Sequence, residues 1–155
     1  MAELDLISKY DVIGIFCDSL NYLETEEEVK ETFRNVFRFL RDGGLFLFDV
    51  HSVYKMNDIF INQTYTYDQE NICYIWNCFP GAEPFSVEHE LTFFVEDEDG
   101  KYDRIDENHF QRTYPIETYQ LWLKEAGFEL LEVIGDFEEE VYENSERIFF
   151  IARKN

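Results

Sequence analysis

What this sequence has little of narrows its chemistry. Its three cysteines, Cys17, Cys73 and Cys78, are odd in number and form no C-x-x-C pair. Cys73 and Cys78 stand five apart, so on one strand they point to opposite faces. We expect reduced thiols in a cytoplasm and no zinc site. His89 and His109 lack ligand-spaced partners, which argues against any metal. Basic residues are scarce, 13 Lys and Arg against 34 Asp and Glu, for a net charge of −21. Such a surface repels phosphate backbones, so no direct nucleic-acid partner is expected. No apolar run reaches membrane-spanning length, and Met1-Ala2-Glu3 does not open a signal peptide, so no membrane partner is expected either. Asn62-Gln63-Thr64 matches a glycosylation sequon, by chance in a cytosolic chain. There is no internal repeat and no low-complexity linker.

What is present is apolar and aromatic: 45% hydrophobic residues and 18% aromatic ones exclude disorder. At 155 residues the chain is one domain with one main core. The stretch around which it is organised is Asp11–Asn21, an apolar run that stops abruptly in small polar residues. A run apolar at consecutive positions predicts a strand buried on both faces of a parallel sheet, over Asp11–Cys17. Ligands of open α/β sheets sit beyond the carboxyl ends of such strands, which draws attention to Cys17, Asp18, Ser19 and Asn21.

After it, Thr25-Glu26-Glu27-Glu28 is a capping box that opens a helix over Thr25–Leu40. Val29, Phe33, Val36, Phe37 and Leu40 form its apolar stripe, and Asp42-Gly43-Gly44 is expected to end it. A second strand, Leu45–Val50, completes a βαβ unit across residues 11–50. Alternation then takes over, at Thr64–Asp68, Ile72–Phe79, Ser86–Glu96 and Lys101–Arg112, predicting an antiparallel excursion within residues 60–112. Pro115 is placed at the first position of a second helix, with Ile116, Tyr119, Leu123 and Ala126 as its stripe and Gly127 as its stop. Phe128–Gly135 and Arg147–Arg153 close the chain as an antiparallel strand pair, within residues 115–153.

Several of these segments carry a resemblance. Phe16-Cys17-Asp18-Ser19-Leu20-Asn21-Tyr22-Leu23 and Leu40-Arg41-Asp42-Gly43-Gly44-Leu45-Phe46-Leu47-Phe48-Asp49-Val50 resemble strands four and five of class I S-adenosylmethionine-dependent methyltransferases. Gln111-Arg112-Thr113-Tyr114-Pro115, Glu125-Ala126-Gly127-Phe128 and Ser145–Lys154 are similar to the carboxyl end of the small bacterial YqeM-like group. The resemblance implies an α/β fold, the C-terminal half of a doubly wound, Rossmann-like methyltransferase sheet with an antiparallel β insertion. It implies Arg147–Arg153 between Leu45–Val50 and Phe128–Gly135. The family also has a glycine-rich turn after strand one and an acidic residue after strand two. Neither stands before Asp11 here. The expectation is therefore a fragment that binds S-adenosylmethionine weakly or not at all. Its first strand would offer a free edge to a second copy or to a partner chain.

On that resemblance Phe16, Cys17, Asp18 and Leu20 border the cofactor, with Met1 near the adenine. Asn21, Tyr22, His51, Tyr54 and Trp76 are assigned to an acceptor of unknown identity, small molecule or protein. His51 is the candidate catalytic residue, as orienter or base. Asp49 and His51 are assigned to opposite sides of their strand. Tyr65, Tyr67, Tyr74 and Trp76 either wall a substrate pocket or form a small core beneath the meander. Asp18 with Asp49 also permits a glycosidase acid pair, but the pattern predicts neither their separation nor a sugar cleft. The rival function class is a non-catalytic fragment, a binding or assembly module that needs a partner chain.

Overall fold

The computed structural model describes residues 8–138 and 140–155. The order of elements is β1 (Tyr10–Ile15), α1 (Glu26–Phe39), β2 (Leu40–His51), β3 (Thr64–Gln69), β4 (Ile72–Pro80), β5 (Ser86–Glu96), β6 (Tyr102–Arg112), α2 (Ile116–Glu125), β7 (Phe128–Gly135) and β8 (Arg147–Lys154). Two short turns matter later, a 3-10 turn at Ser19–Tyr22 and a π-helical turn at Lys55–Phe60. The strands form two four-stranded sheets, β1-β2-β8-β7 and β3-β4-β5-β6. In the first, β1 runs parallel to β2, while β8 is antiparallel to both β2 and β7. The second is an antiparallel meander.

Local chemistry explains most of the first sheet's framework. The Thr25 hydroxyl accepts from the Glu28 amide and the Glu28 carboxylate accepts from the Thr25 amide, a complete capping box. Val29, Phe33 and Val36 of α1, with Tyr119, Trp122 and Leu123 of α2, pack on one face of this sheet. That face is made of Phe46, Phe48 and Val50 of β2 and Ile148, Phe150 and Ala152 of β8. Phe48 and Phe150 are directly paired across the strands and stack with centroids 4.7 Å apart. Leu45, Leu47, Phe149 and Ile151, on the opposite face, are half-buried. The ammonium of Lys154 donates to the carbonyls of Phe37 and Leu40, so a residue of β8 satisfies the last carbonyls of α1. Gly127 takes φ +99°, and a Cβ there would meet the Phe37 ring at 3.0 Å. Only glycine fits.

Four expectations need correction. The strand read over Asp11–Cys17 is not buried on both faces. It ends at Ile15 and has β2 as its one neighbour among the described residues, so Val12 is 55% exposed while Ile13 and Ile15 pack on the core. The first helix stops at Phe39, not at Asp42-Gly43-Gly44, because Leu40 is already extended at ψ 146°. Gly43, at φ +80°, instead lies in an irregular stretch of β2 where the register to β1 shifts. Pro115 is the N-cap of α2 and Ile116 its first residue, since ψ 148° at Pro115 is not helical. The stripe of α2 also includes Trp122, which lies against Tyr114 with centroids 4.8 Å apart.

Among the described residues no helix is long and apolar enough to cross a membrane. Phe48→Ala should cost about 3–5 kcal/mol in urea unfolding, because the ring is fully buried and stacked on Phe150. Thr25→Ala should cost about 1 kcal/mol, the value of the cap alone. Equal losses in the two variants would contradict this placing of the core.

Candidate functional site

The carboxyl ends of the parallel strands β1 and β2 meet the second sheet around a cavity of about 490 Å³. After β1 the chain reverses sharply, with Cys17 at φ 59° and Asp18 at φ 51°. Two consecutive left-handed residues without glycine need outside support. It comes from the Asp18 amide, which donates to Asp49 Oδ2 at 3.1 Å, and from the Ser19 hydroxyl, which donates to the Phe16 carbonyl at 2.7 Å.

The turn carries the Asp18 side chain into a cluster of charges. Arg147, the first residue of β8, bridges Asp49 Oδ2 through Nη1 and Asp18 Oδ1 through Nη2, the latter at 3.0 Å. The Asp49 side chain is only 1% exposed, against 22% for Asp18 and 27% for Arg147. A carboxylate buried that deeply needs its counter-charge. Asp18 Oδ2 also accepts from the Gln111 amide at 2.8 Å and lies 3.4 Å from His51 Nε2. Burial alone would raise the Asp18 carboxyl. The hydrogen bond and charge of His51, then Gln111 and Arg147, outweigh it and lower it from 3.8 to about 2. A carboxylate oxygen only accepts, so the approach of His51 Nε2 to Asp18 Oδ2 is that of a donor. Among the described residues the buried His51 Nδ1 has no hydrogen-bond partner.

The opposite wall is aromatic. Phe60, Tyr65 and Trp76 form a contiguous set, with centroids 5.6 Å apart for Phe60–Trp76 and 5.1 Å for Tyr65–Trp76. Tyr22 closes one side, edge-on to His109 at 5.8 Å. Burial, then the charges of Asp18 and Glu107, raise the Tyr22 phenol. Lys55 reaches the rim from the π-helical turn and pairs with Glu146 at 3.1 Å.

The structure thus gathers Asp18, Tyr22, His51, Tyr65 and Trp76 about one cavity and leaves other candidates outside it. Leu20, assigned to the cofactor, is fully buried in the core. Asn21, assigned to the acceptor, is fully buried too. Its amide donates to the Arg112 carbonyl and its oxygen accepts from the His51 amide, so it staples β6 to β2 behind the site. Tyr54 lines a different cavity of about 300 Å³ with Tyr114 and Tyr142, and His51 is the wall shared by the two. Phe16 and Cys17 are exposed at the turn. Tyr67 and Tyr74 stack on each other at 5.4 Å, beyond the cavity lining. The assignment of Met1 falls outside the described residues.

Asp49 and His51 do not point to opposite sides of β2. They are two apart, share a face as a period of two requires, and both converge on the Asp18 turn. Sequence reading missed Arg147 and Gln111 as site residues. The available signal was an arginine at the start of an apolar run, and the structure sets it in register with His51. Among the described residues no group of His, Cys, Asp and Glu is arranged to hold a metal ion.

No protein-family model matches the chain. It is 54% identical over 155 residues to a protein of Geobacillus sp. (strain WCH70) named "Putative methyltransferase", covering 99% of this chain and 63% of that one. It is 47% identical over 148 residues to "Putative methyltransferase YqeM" of Bacillus subtilis (strain 168), covering 95% of this chain and 60% of the relative. The chain therefore spans about three fifths of the length of the curated relatives it matches. Among solved structures, an S-adenosylmethionine-dependent methyltransferase from Clostridium acetobutylicum ATCC 824 superposes with a TM-score of 0.91 at 30% identity, over 99% of this chain and 62% of that one. The CcbJ methyltransferase from Streptomyces caelestis superposes with a TM-score of 0.80 over 99% of this chain and 65% of that one, and at 18% identity it shows the shared fold alone.

Two measurements check the charge cluster. Arg147→Met should cost about 3–5 kcal/mol, because it strands the buried Asp49 carboxylate, whereas breaking the exposed Arg153–Glu129 pair should leave the urea midpoint nearly unchanged. The second is pH dependence. Burial, opposed by a smaller pull from Gln111, holds the His89 imidazole down from 6.5 to about 4. A lowered histidine contributes stability that is complete above 6.5 and lost as pH falls through 4. Relative to a His89→Phe control, which shares the −21 repulsion, the wild type should lose urea resistance across that window. A flat difference between the two would show that the imidazole is not buried in its neutral form.

Proposed function

We propose that this chain, homologous over nearly its whole length to curated proteins named as methyltransferases, supplies the acceptor-binding part of an S-adenosylmethionine-dependent methyl transfer. The observation that carries the proposal is the cavity at the carboxyl ends of β1 and β2, bordered by the Asp18 turn and walled by aromatic side chains. Transfer of a methyl group from a sulfonium depends on alignment of nucleophile, methyl and leaving sulfur more than on a strong base. Rigid aromatic faces and a fixed carboxylate provide such alignment. Tyr22, Phe60, Tyr65 and Trp76 would seat the acceptor by its apolar surface. Asp18, held as an acceptor of hydrogen bonds only, would take an O–H or N–H from it. His51 would orient the acceptor beside Asp18.

The residues present fit one edge of the cofactor. Phe16 is exposed at the end of β1 and offers an apolar face. The neighbouring carboxylate, Asp18, is already engaged by Arg147, Gln111 and His51. No Gly-x-Gly occurs among the seven glycines, so the glycine turn that would hold the rest of the cofactor is not among these 155 residues. No chemical step is therefore assigned to the cofactor in this chain.

The rival reading, a module that works by assembly, is favoured by one observation, the open edge of β1, which among the described residues has β2 as its one neighbour. Tyr10 and Val12 are exposed on the sheet face beside that edge, and Phe16 is exposed just past the strand. Neither lysine nor proline interrupts Tyr10–Ile15 to discourage strand pairing. In this proposal the edge receives a strand from a second copy or from a partner chain, against the opposing net charge of −21.

Titration of the 155-residue chain with S-adenosylmethionine should give a dissociation constant on the order of millimolar or weaker. Amide shifts should be confined to residues 16–19, and Phe16→Ala should abolish them. Micromolar affinity would contradict the one-edge reading, and shifts confined to other residues would remove the cofactor from this site. Sedimentation should show dimers or larger species that Val12→Lys disperses. A wild-type monomer at high concentration would remove the assembly reading and leave the acceptor cavity untouched.

A further inference from the structure

Three polar side chains of the second sheet meet behind the Asp18 turn, and the hydrogen bonds among them have only one consistent direction. The Trp76 indole N–H, which can only donate, lies 3.0 Å from His89 Nδ1. His89 Nδ1 is therefore bare, and the one proton of a neutral imidazole sits on Nε2. That atom is 3.2 Å from Gln111 Oε1, which can only accept. The Gln111 amide nitrogen is thereby turned to Asp18 and donates to Oδ2 at 2.8 Å. The orientations of both His89 and Gln111 follow from the indole at one end and the carboxylate at the other.

The register of the meander creates this line. Cys78, His89 and His109 are direct neighbours across β4, β5 and β6, and Gln111 lies two residues beyond His109. The relay thus runs diagonally across three strands, a spacing within reach of long side chains. The Cys78 thiol, 3.3 Å from the same Nδ1, is pushed up to about 11 by burial, so it too faces that nitrogen as a donor. Phe60 packs against the His89 ring in a T-shaped contact, with centroids 5.1 Å apart. His89 and Gln111 are both buried.

We propose that Trp76, His89 and Gln111 are positioning residues, a one-way chain of hydrogen bonds through which the second sheet fixes the Asp18 carboxylate toward the cavity. The importance of the relay for acceptor binding rests on the methyl-acceptor reading of that cavity; the relay itself does not. Arg147 and His51 hold Asp18 from the first sheet, and Gln111 holds it from the second. The charged and titratable groups around His89 are His51, His109, Asp18 and the Cys78 thiol, with Trp76 and Gln111 as its hydrogen-bond partners. The carboxylate is gripped from both sheets at once, so a shift between them moves it.

The test uses the intact chain without any ligand. Long-range proton–nitrogen spectra at neutral pH should show His89 protonated on Nε2 and bare on Nδ1. Trp76→Phe keeps the ring and removes the donor, and the Nδ1–H tautomer should then become populated. Gln111→Glu replaces the donating amide by a second carboxylate, and the Asp18 carboxyl carbon should titrate about one unit or more higher. A residue that only filled space would leave both signals where they are. His89 protonated on Nδ1, or charged at neutral pH in the wild type, would overturn the relay. So would an unmoved Asp18 titration in a folded Gln111→Glu chain. Should that variant not fold, the wild-type tautomer decides. Absence of methyl-transfer chemistry would leave these signals unchanged, so failure of that reading and failure of the relay are separable.

Discussion

The structure depends on one arginine between two aspartates. Arg147 links Asp49, almost without solvent contact, to Asp18 in the turn after β1. Removing a carboxylate from water costs several kcal/mol unless a counter-charge and hydrogen bonds meet it. That cost decides where three separate segments go: the end of β2, the start of β8 and the reversal after β1. It also accounts for the left-handed conformations of Cys17 and Asp18, which cost about 1–3 kcal/mol each when unsupported. With its amide on Asp49 and its carboxylate on Arg147, Asp18 is held from both ends.

Around that cluster the two sheets divide the work. The first sheet carries the charges and the histidine on the ends of β1, β2 and β8. The second brings the aromatic wall and, through Gln111, a further hold on the same carboxylate. Asn21 and Thr113 join them from behind: Asn21 bonds β6 and β2, and the Thr113 hydroxyl donates to the His51 carbonyl at 2.6 Å. The side chains facing the cavity are therefore backed by hydrogen bonds that no solvent competes for.

Local features were legible in the sequence because their causes are local. The Thr25–Glu28 box, the stripe of α1, the Gly127 stop and the strands of the meander each follow from residues within one or two turns. The run Cys17–Asn21 was legible as a place and not as a set of roles. Its residues are sorted into exposed and buried by the 3-10 turn at Ser19–Tyr22, which sends Leu20 and Asn21 inward. Arg147 and Gln111 stood in plain view without a role, because their partner Asp18 lies 129 and 93 residues away. The divergence assigned to Asp49 and His51 was an error of period, since residues two apart on a strand share a face.

β8 follows every other described element in sequence and yet lies between β2 and β7. Its lysine reaches back 114 residues to the end of α1. The second sheet, by contrast, is built from consecutive neighbours that can pair as soon as each hairpin exists. Loop closure makes such distant pairings slow. During synthesis the meander can therefore form while β2 still lacks one neighbour and Asp49 still lacks its arginine. In that interval the nascent chain exposes an apolar strand edge, the state in which chaperones would find it and in which aggregation competes with folding. Arg147, the counter-charge that Asp49 needs, thus arrives with the last described strand.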